Sequence, residues 1–274
     1  MDVVLVQVPY HLGRRDAGLA KGVPVLADTL AGELGATRVA VEPKAEFCNE
    51  IEASMDVVRA LAHSVRDVVA EGSFPLVLAG NCNSSLGTVA GLGSADDLGV
   101  VWFDAHGDFN TPDTTPTGFF DGMGLSMLTG TSWDGLRASV PGLRPVAEAN
   151  VVHVGGRDFD PAEEVRLEAS GMLRVRPGEA LEPALEALAD GVSSVYVHVD
   201  LDVLDPSEGH ANWYACDGGL TAAEVASAIE RIGRTFTIRA AALTAYAPDC
   251  DPEGTIPGAA AQIARSIVGA RVAA

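Results

Sequence analysis

Val100-Val101-Trp102-Phe103-Asp104-Ala105-His106-Gly107-Asp108 is the stretch on which the fold turns. Its first four residues are apolar and partly β-branched, the pattern of a short strand covered on both faces. The next five change character at once, setting Asp104, His106 and Asp108 at alternate positions with only Ala105 and Gly107 between them. Alternation at a strand end sends side chains to one side. Three acid or imidazole groups gathered there are costly without a compensating cation.

Working outward, similar apolar runs occur at Val3–Val8, Leu76–Ala79, Val151–Val154, Val195–Leu201 and Ala240–Leu243. Helix signals fall between them. From Glu50 to Glu71, Ile51, Met55, Val58, Leu61, Val65 and Val69 recur at spacings of three and four, an amphipathic stripe. Thr221-Ala222-Ala223-Glu224 has capping-box spacing and predicts a helix to about Gly233. Ile256 to Val272 reads as a last helix. Strand–helix alternation from end to end predicts an α/β fold, a three-layer α/β/α sandwich with a mostly parallel central sheet, as one domain over residues 1–274. In such sheets ligands bind beyond the carboxyl ends of the strands. The polar, Gly-rich segments after Leu78, Phe103, Val154 and Val199 sit there.

Composition narrows the function. Apolar residues make up 47% of the 274, enough for a sizeable core. A formal net charge of −20 repels phosphate backbones and anionic lipid, which disfavours nucleic-acid and membrane partners. No apolar run approaches the ~18 residues of a membrane helix. Met1 to Pro9 lacks a basic region and a cleavage site and reads as a first strand rather than a signal peptide. Cys48, Cys82, Cys216 and Cys250 form no Cys-x-x-Cys pair, which points to reduced thiols in a cytoplasmic protein.

The second chemical motif is Asp200-Leu201-Asp202, at the end of another apolar run. One Asp-x-Asp alone is a strand-end cap in most proteins. Together the motifs assemble four carboxylates and an imidazole, a hard-to-borderline donor set that suits Mn²⁺. A carboxylate shared by two ions about 3.5–4 Å apart provides hydroxide at neutral pH.

Val101-Trp102-Phe103-Asp104-Ala105-His106-Gly107-Asp108-Phe109-Asn110-Thr111-Pro112 closely resembles the central metal motif of the arginase, agmatinase and formimidoylglutamase (ureohydrolase) family. His198-Val199-Asp200-Leu201-Asp202-Val203-Leu204-Asp205-Pro206, followed by Gly218-Gly219-Leu220-Thr221, is similar to its second. Val8-Pro9-Tyr10-His11-Leu12-Gly13 and Gly155-Gly156-Arg157-Asp158-Phe159-Asp160 also match. The resemblance implies a binuclear manganese hydrolase that adds hydroxide to an amidine carbon and expels an amine, acts on a small molecule, and assembles as a homo-oligomer, a trimer or hexamer. It implies Asp104 and Asp200 as bridging ligands, His106 and Asp202 as ligands of one ion, and Asp108 as a ligand of the other. His106 and Asp108 thereby join Asp121 as candidate catalytic groups. Asn110 and Thr117 are implied contacts for a substrate α-carboxylate, although turn chemistry also explains both. Asp160 and Glu163 fall where an α-amino group is held.

Departures cluster at the reacting end. The family's Gly-Gly-Asp-His-Ser appears as Ala79-Gly80-Asn81-Cys82-Asn83, so Cys82 replaces a metal-binding histidine. A thiolate there would favour zinc or weaken manganese, leaving that position weak, empty or given to another metal; a small buried thiol is the other reading. A proton-shuttling histidine appears as Asp121, which reads either as a shuttle or as a loop residue. Phe119 replaces an asparagine. Ala245 stands where the family places a glutamate against the guanidinium, which removes a strong bidentate contact and argues against plain arginine. His198 reads as a partner of a metal ligand or as a hydrogen-bonded core histidine; His63 and His153 suggest no function. An N-hydroxyguanidine, less basic than a guanidine, needs the missing carboxylate less. The sequence thus resembles the N-hydroxyarginine-hydrolysing branch, whose product is hydroxyurea. A formimidoyl- or guanidino-acid hydrolase is the runner-up, and a catalytically inactive binding protein of the same fold is the reading from another class.

Overall fold

The computed structural model describes residues 2–44, 46–93 and 97–271. In chain order the strands are β1 Val3–Val8, β2 Tyr10–His11, β3 Arg14–Arg15, β4 Thr37–Ala40, β5 Phe74–Ala79, β6 Leu98–Phe103, β7 Val151–Val154, β8 Leu173–Val175, β9 Ser194–Asp200 and β10 Thr237–Thr244. The helices are α1 Gly22–Leu34, α2 Glu50–Ala70, α3 Ser84–Leu92, α4 Gly124–Leu128, α5 Asp134–Ala138, α6 Pro161–Ala169, α7 Glu182–Ala189, α8 Ala222–Thr235 and α9 Ile256–Ala270. Met1 and Val272, at the ends of the first expected strand and the last expected helix, lie outside the described residues.

Eight strands form one sheet in the order β4-β1-β5-β10-β9-β6-β7-β8, every pair parallel. The two-residue period of each strand divides its apolar side chains between two cores. Val101 and Phe103 of β6 join Val195, Val197 and Val199 of β9 on the face covered by α1, α7, α8 and α9. Val100 and Trp102 join Tyr196 and the α2 stripe of Met55, Val58, Leu61 and Val65 on the other. Trp102 and Phe103 are both fully buried, worth about 1.5–3 kcal/mol each by area. The sandwich is therefore three layers about a parallel sheet.

Helix termini follow local chemistry. Asn49 Oδ1 accepts from Glu52 N at 3.0 Å to start α2. Thr221 and Glu224 make the reciprocal capping box, 3.2 Å and 2.8 Å, that starts α8. The helix runs to Thr235, two residues past the expected end. Cys48, Cys82, Cys216 and Cys250 are free. No helix among the described residues is long and apolar enough to cross a membrane.

Register positions the site. Thr244 of β10 lies beside both Ala79 of β5 and Asp200 of β9, and Phe103 of β6 lies beside Val199. The segments that leave the four central strands therefore emerge side by side: Gly80 onward, Ala245 onward, Leu201 onward and Asp104 onward.

Candidate metal centre and substrate cavity

The two ligand motifs are built by one local device. Asp104 Oδ1 accepts from His106 N at 2.8 Å, and Asp200 Oδ1 accepts from Asp202 N at 2.9 Å. Each is an aspartate turn that bends the chain just as the strand ends. The expectation that strand alternation gathers these side chains is corrected here: β6 stops at Phe103, Leu201–Val203 is a 3-10 turn, and Asp108 is left-handed at φ 48°. Convergence comes from turning. Gly107 makes it possible, because a Cβ there would lie 2.6 Å from the Glu163 carboxyl carbon.

The remaining oxygens point inward. Asp104 Oδ2 accepts from Trp102 Nε1 at 3.0 Å. Asp202 Oδ2 lies 3.4 Å from His106 Nδ1, which is also 3.4 Å from Asp104 Oδ1. Asp200 Oδ2 accepts from Cys82 Sγ at 2.9 Å, and that thiol also lies 3.3 Å from Thr244 Oγ1. Ligand-type atoms of Asp104, His106 and Asp202 lie within 4.8 Å of one another, and so do those of Cys82, Asp104 and Asp108. The groups share Asp104, and Asp200 touches a member of each.

Electrostatics shows what this cluster lacks. Burial first, and then neighbouring carboxylates, pushes Asp108 and Asp200 well above the ordinary carboxylate range. Burial likewise raises Asp104, against its bonds with His106. Burial also acts on Asp202, but His106 beside it holds that carboxyl down at about 2. His106 is driven upward against its own burial by Asp202 and Asp104. Burial, then Asp200, pushes the Cys82 thiol up. One imidazole faces four buried carboxylates, and Asp108 Oδ2 is buried without a hydrogen-bond partner. A donor set with an orphaned oxygen and too little positive charge fits divalent cations.

Above the cluster lies a cavity of about 250 Å³. The structure brings every site residue named from sequence to it: Cys82, Asp104, His106, Asp108, Asn110, Thr117, Asp121, Asp160, Glu163, Asp200 and Asp202. Several also hold the walls together. Asn110 Nδ2 donates to Asp160 Oδ2 at 2.9 Å, and Thr117 Oγ1 accepts from Phe119 N at 3.2 Å. Asp121 accepts from Asn81 Nδ2 at 2.5 Å, Asn83 N at 2.9 Å and Cys82 N at 3.2 Å, and burial raises it to about 6. His198 is the hydrogen-bonded core histidine: it stacks 3.7 Å from Trp102 and bonds Tyr196 OH at 2.9 Å. His153 Nε2 meets the His106 carbonyl at 2.7 Å, a supporting role that sequence did not suggest.

Leu19, Asp158, Asn212 and Tyr214 line the cavity without having been expected. The last two ride on the loop after Asp202, which Arg157 fixes by donating to the carbonyls of Asp202 (3.0 Å), Cys216 (2.8 Å) and Asp217 (3.1 Å). An Asn-Trp-Tyr triplet so soon after a ligand motif was the available signal.

Glu163 carries a pH prediction. Burial pushes it up to about 7 from 4.5, against bonds from Phe109 N at 2.8 Å and Asp160 N at 3.4 Å. Between those values the unfolded chain gives up its proton and the folded one keeps it. Stability is therefore lost as pH rises through that window, and the deficit is complete above about pH 7. Glu163→Gln keeps an acceptor for Phe109 N and removes the ionisation. It is expected to be more stable than the parent at pH 8 by roughly 1–3 kcal/mol and equal to it at pH 4. Denaturation curves that coincide at both pH values would remove the buried-acid account.

Cys82 carries another. If its thiol borders a bound ion, Mn²⁺ is expected to slow its alkylation relative to metal-free protein, by coordination or by burial. Peptide-resolved mass spectrometry separates it from the exposed Cys48. Equal rates with and without metal would return Cys82 to the reading of a small core thiol.

Comparison with known proteins agrees with this geometry. The sequence profile of the Arginase family matches residues 1–269. The chain is 32% identical over 222 residues to the arginase of Bacillus subtilis (strain 168), covering 77% of this chain and 74% of that one. It is 36% identical over 187 residues to the N(omega)-hydroxy-L-arginine amidinohydrolase of Streptomyces lavendulae, 66% of each chain. The native structure at pH 5.6 of arginase from Bacillus caldovelox superposes with a TM-score of 0.87 at 27% identity, over 98% of both chains.

Proposed function

This chain belongs to the arginase family and is an amidinohydrolase, and from that premise we propose that it is a manganese-dependent hydrolase of a linear amidine of the N-hydroxyarginine type. The observation that carries the metal is the buried cluster with its orphaned Asp108 oxygen. Asp104, His106, Asp200 and Asp202 would hold one ion, and Asp104, Asp108, Asp200 and Cys82 the other. Bound there, such ions supply Lewis acidity and acidify water to near neutrality.

The chain's own residues do the rest. Asp158, Asp160 and Glu163 place acid side chains in the cavity, the complement of a substrate ammonium. Asn110 and Thr117 offer polar contacts for a carboxylate. Asp121 faces the same space and stands as the acid–base group that would return a proton to the departing amine. Leu19 and Ala245 give part of the wall an apolar surface. A neutral N-hydroxyguanidine loses little by entering such a wall, whereas a guanidinium gives up hydration without a bidentate partner. The unpaired cysteines extend the reading to a cytoplasmic protein, and the resemblance extends it to a homo-oligomer, a trimer or hexamer.

The test combines metal analysis with product assay. Protein refolded or purified with Mn²⁺ is expected to retain the ion through gel filtration and to release hydroxyurea from N-hydroxyarginine faster than urea from arginine. A formimidoyl or guanidino acid as the preferred substrate would shift the assignment within the family. No turnover of any amidine by Mn²⁺-loaded protein would leave the inactive binding protein as the better reading.

A further inference from the structure

Asn212 belongs to no motif, yet it joins the carboxylate cluster to the cavity wall at Ala245. It is buried, with 3% exposure. Its Nδ2 donates to Asp202 Oδ2 at 3.1 Å and to the Ala245 carbonyl at 2.9 Å, and its Oδ1 accepts from Tyr214 N at 2.8 Å. Both donors and the acceptor of the amide are thereby engaged. On one side, Asp202 Oδ2 is the oxygen that also faces His106 Nδ1 at 3.4 Å, so Asn212 helps fix the rotation of a carboxylate whose other oxygen accepts from Ala105 N at a long 3.4 Å. On the other side, Ala245 is left-handed at φ 62°, a conformation costly for a residue with a Cβ. It is held there by its N–H to Ala79 O at 3.1 Å and by Asn212.

We propose that Asn212 is a positioning residue that sets the affinity of the Asp104–His106–Asp202 metal group and the placement of the cavity wall at Ala245 through one amide. The inference rests on the reading of the carboxylate cluster as a metal centre. Its physical basis is that partners of a metal ligand fix that ligand's orientation, and their loss typically weakens metal binding 10–100-fold. Because the same side chain grips Ala245, its loss also loosens the surface against which the substrate's reacting group lies.

Mn²⁺ is titrated calorimetrically into metal-free full-length protein carrying Asn212→Leu or Asn212→Ser, so that one poorly folded variant does not remove the test. Asp205→Ala is the control: Asp205 Oδ2 accepts from Gly218 N at 2.8 Å and Gly219 N at 3.1 Å, so its loss loosens the same loop without touching Asp202. Both Asn212 variants are expected to bind Mn²⁺ on the order of 10–100-fold more weakly, with KM for the amidine raised at saturating Mn²⁺, while Asp205→Ala stays close to the parent. Unchanged affinity in the Asn212 variants, or an equal loss in Asp205→Ala, overturns the proposal. Parent protein that binds no Mn²⁺ overturns the metal centre itself, a result distinguishable from the other two.

Discussion

Asp200→Asn is expected to lower turnover by on the order of 10³-fold or more and to leave the protein with less bound metal, without unfolding it. The expectation comes from where Asp200 stands. Its Oδ1 closes the turn to Asp202 N, its Oδ2 meets the Cys82 thiol, and it touches a member of each potential ligand group. An asparagine retains a carbonyl oxygen for Asp202 N, so the backbone keeps its turn. It removes the charge that a shared ligand needs, because a neutral amide is a poor substitute for a bridging carboxylate. The metal-free fold is expected to tolerate this exchange, because the turn keeps its acceptor for Asp202 N and the side chain keeps its size. The sharpest reading is thermal. Mn²⁺ at 100 times its dissociation constant stabilises the parent by about 2.7 kcal/mol, and that gain is expected to shrink or vanish in Asp200→Asn while the metal-free melting temperatures stay close. Full metal content together with parental rate in the variant would end the binuclear reading.

How far such a site is legible in sequence depends on the length scale of each interaction. The candidate ligands Asp104, His106, Asp108, Asp200 and Asp202 are announced by their spacing, because each motif is a local turn closed over two residues. The central strands are equally plain, since a strand covered on both faces leaves an unbroken apolar run. Edge strands are not: β4, Thr-Arg-Val-Ala, is mostly exposed, and β8 is only three residues long, so neither leaves such a run. The Cys82 substitution is visible as a residue, but its partner is not. Asp200 lies 118 positions away, and the contact depends on the β5-β10-β9 register. Asn212 is hidden for the same reason, because its bond to Ala245 spans 33 positions. The positive φ values at Asp108 and Ala245 carry no composition signal, since glycine, the usual marker of that conformation, is absent from both.

Ala245→Glu is expected to redirect substrate preference toward arginine. In the parent, N-hydroxyarginine is expected to exceed arginine by about 100-fold or more in kcat/KM, which corresponds to roughly 2.7 kcal/mol of discrimination. That is a reasonable size for a cationic group left without a charged partner in a desolvated wall. A glutamate at position 245 would supply that partner, and the gain for arginine should reach on the order of tenfold or more. The substitution has a stability cost of two parts. A longer side chain must adopt the left-handed backbone that Asn212 and Ala79 hold at φ 62°. A buried carboxylate then waits unpaired, at a cost above the roughly 1–3 kcal/mol of an unsatisfied neutral group. The melting temperature of the variant should therefore fall, and arginine should restore more of it than N-hydroxyarginine does. Adding Cys82→His replaces a thiol by an imidazole beside Asp104 and Asp108 and should strengthen the second ion, raising turnover of both substrates without altering their ratio. A change in the ratio from Cys82→His alone would move the seat of discrimination from Ala245 to the metal. Parent protein that hydrolyses arginine as fast as N-hydroxyarginine would show that the missing carboxylate at Ala245 has no part in choosing the substrate.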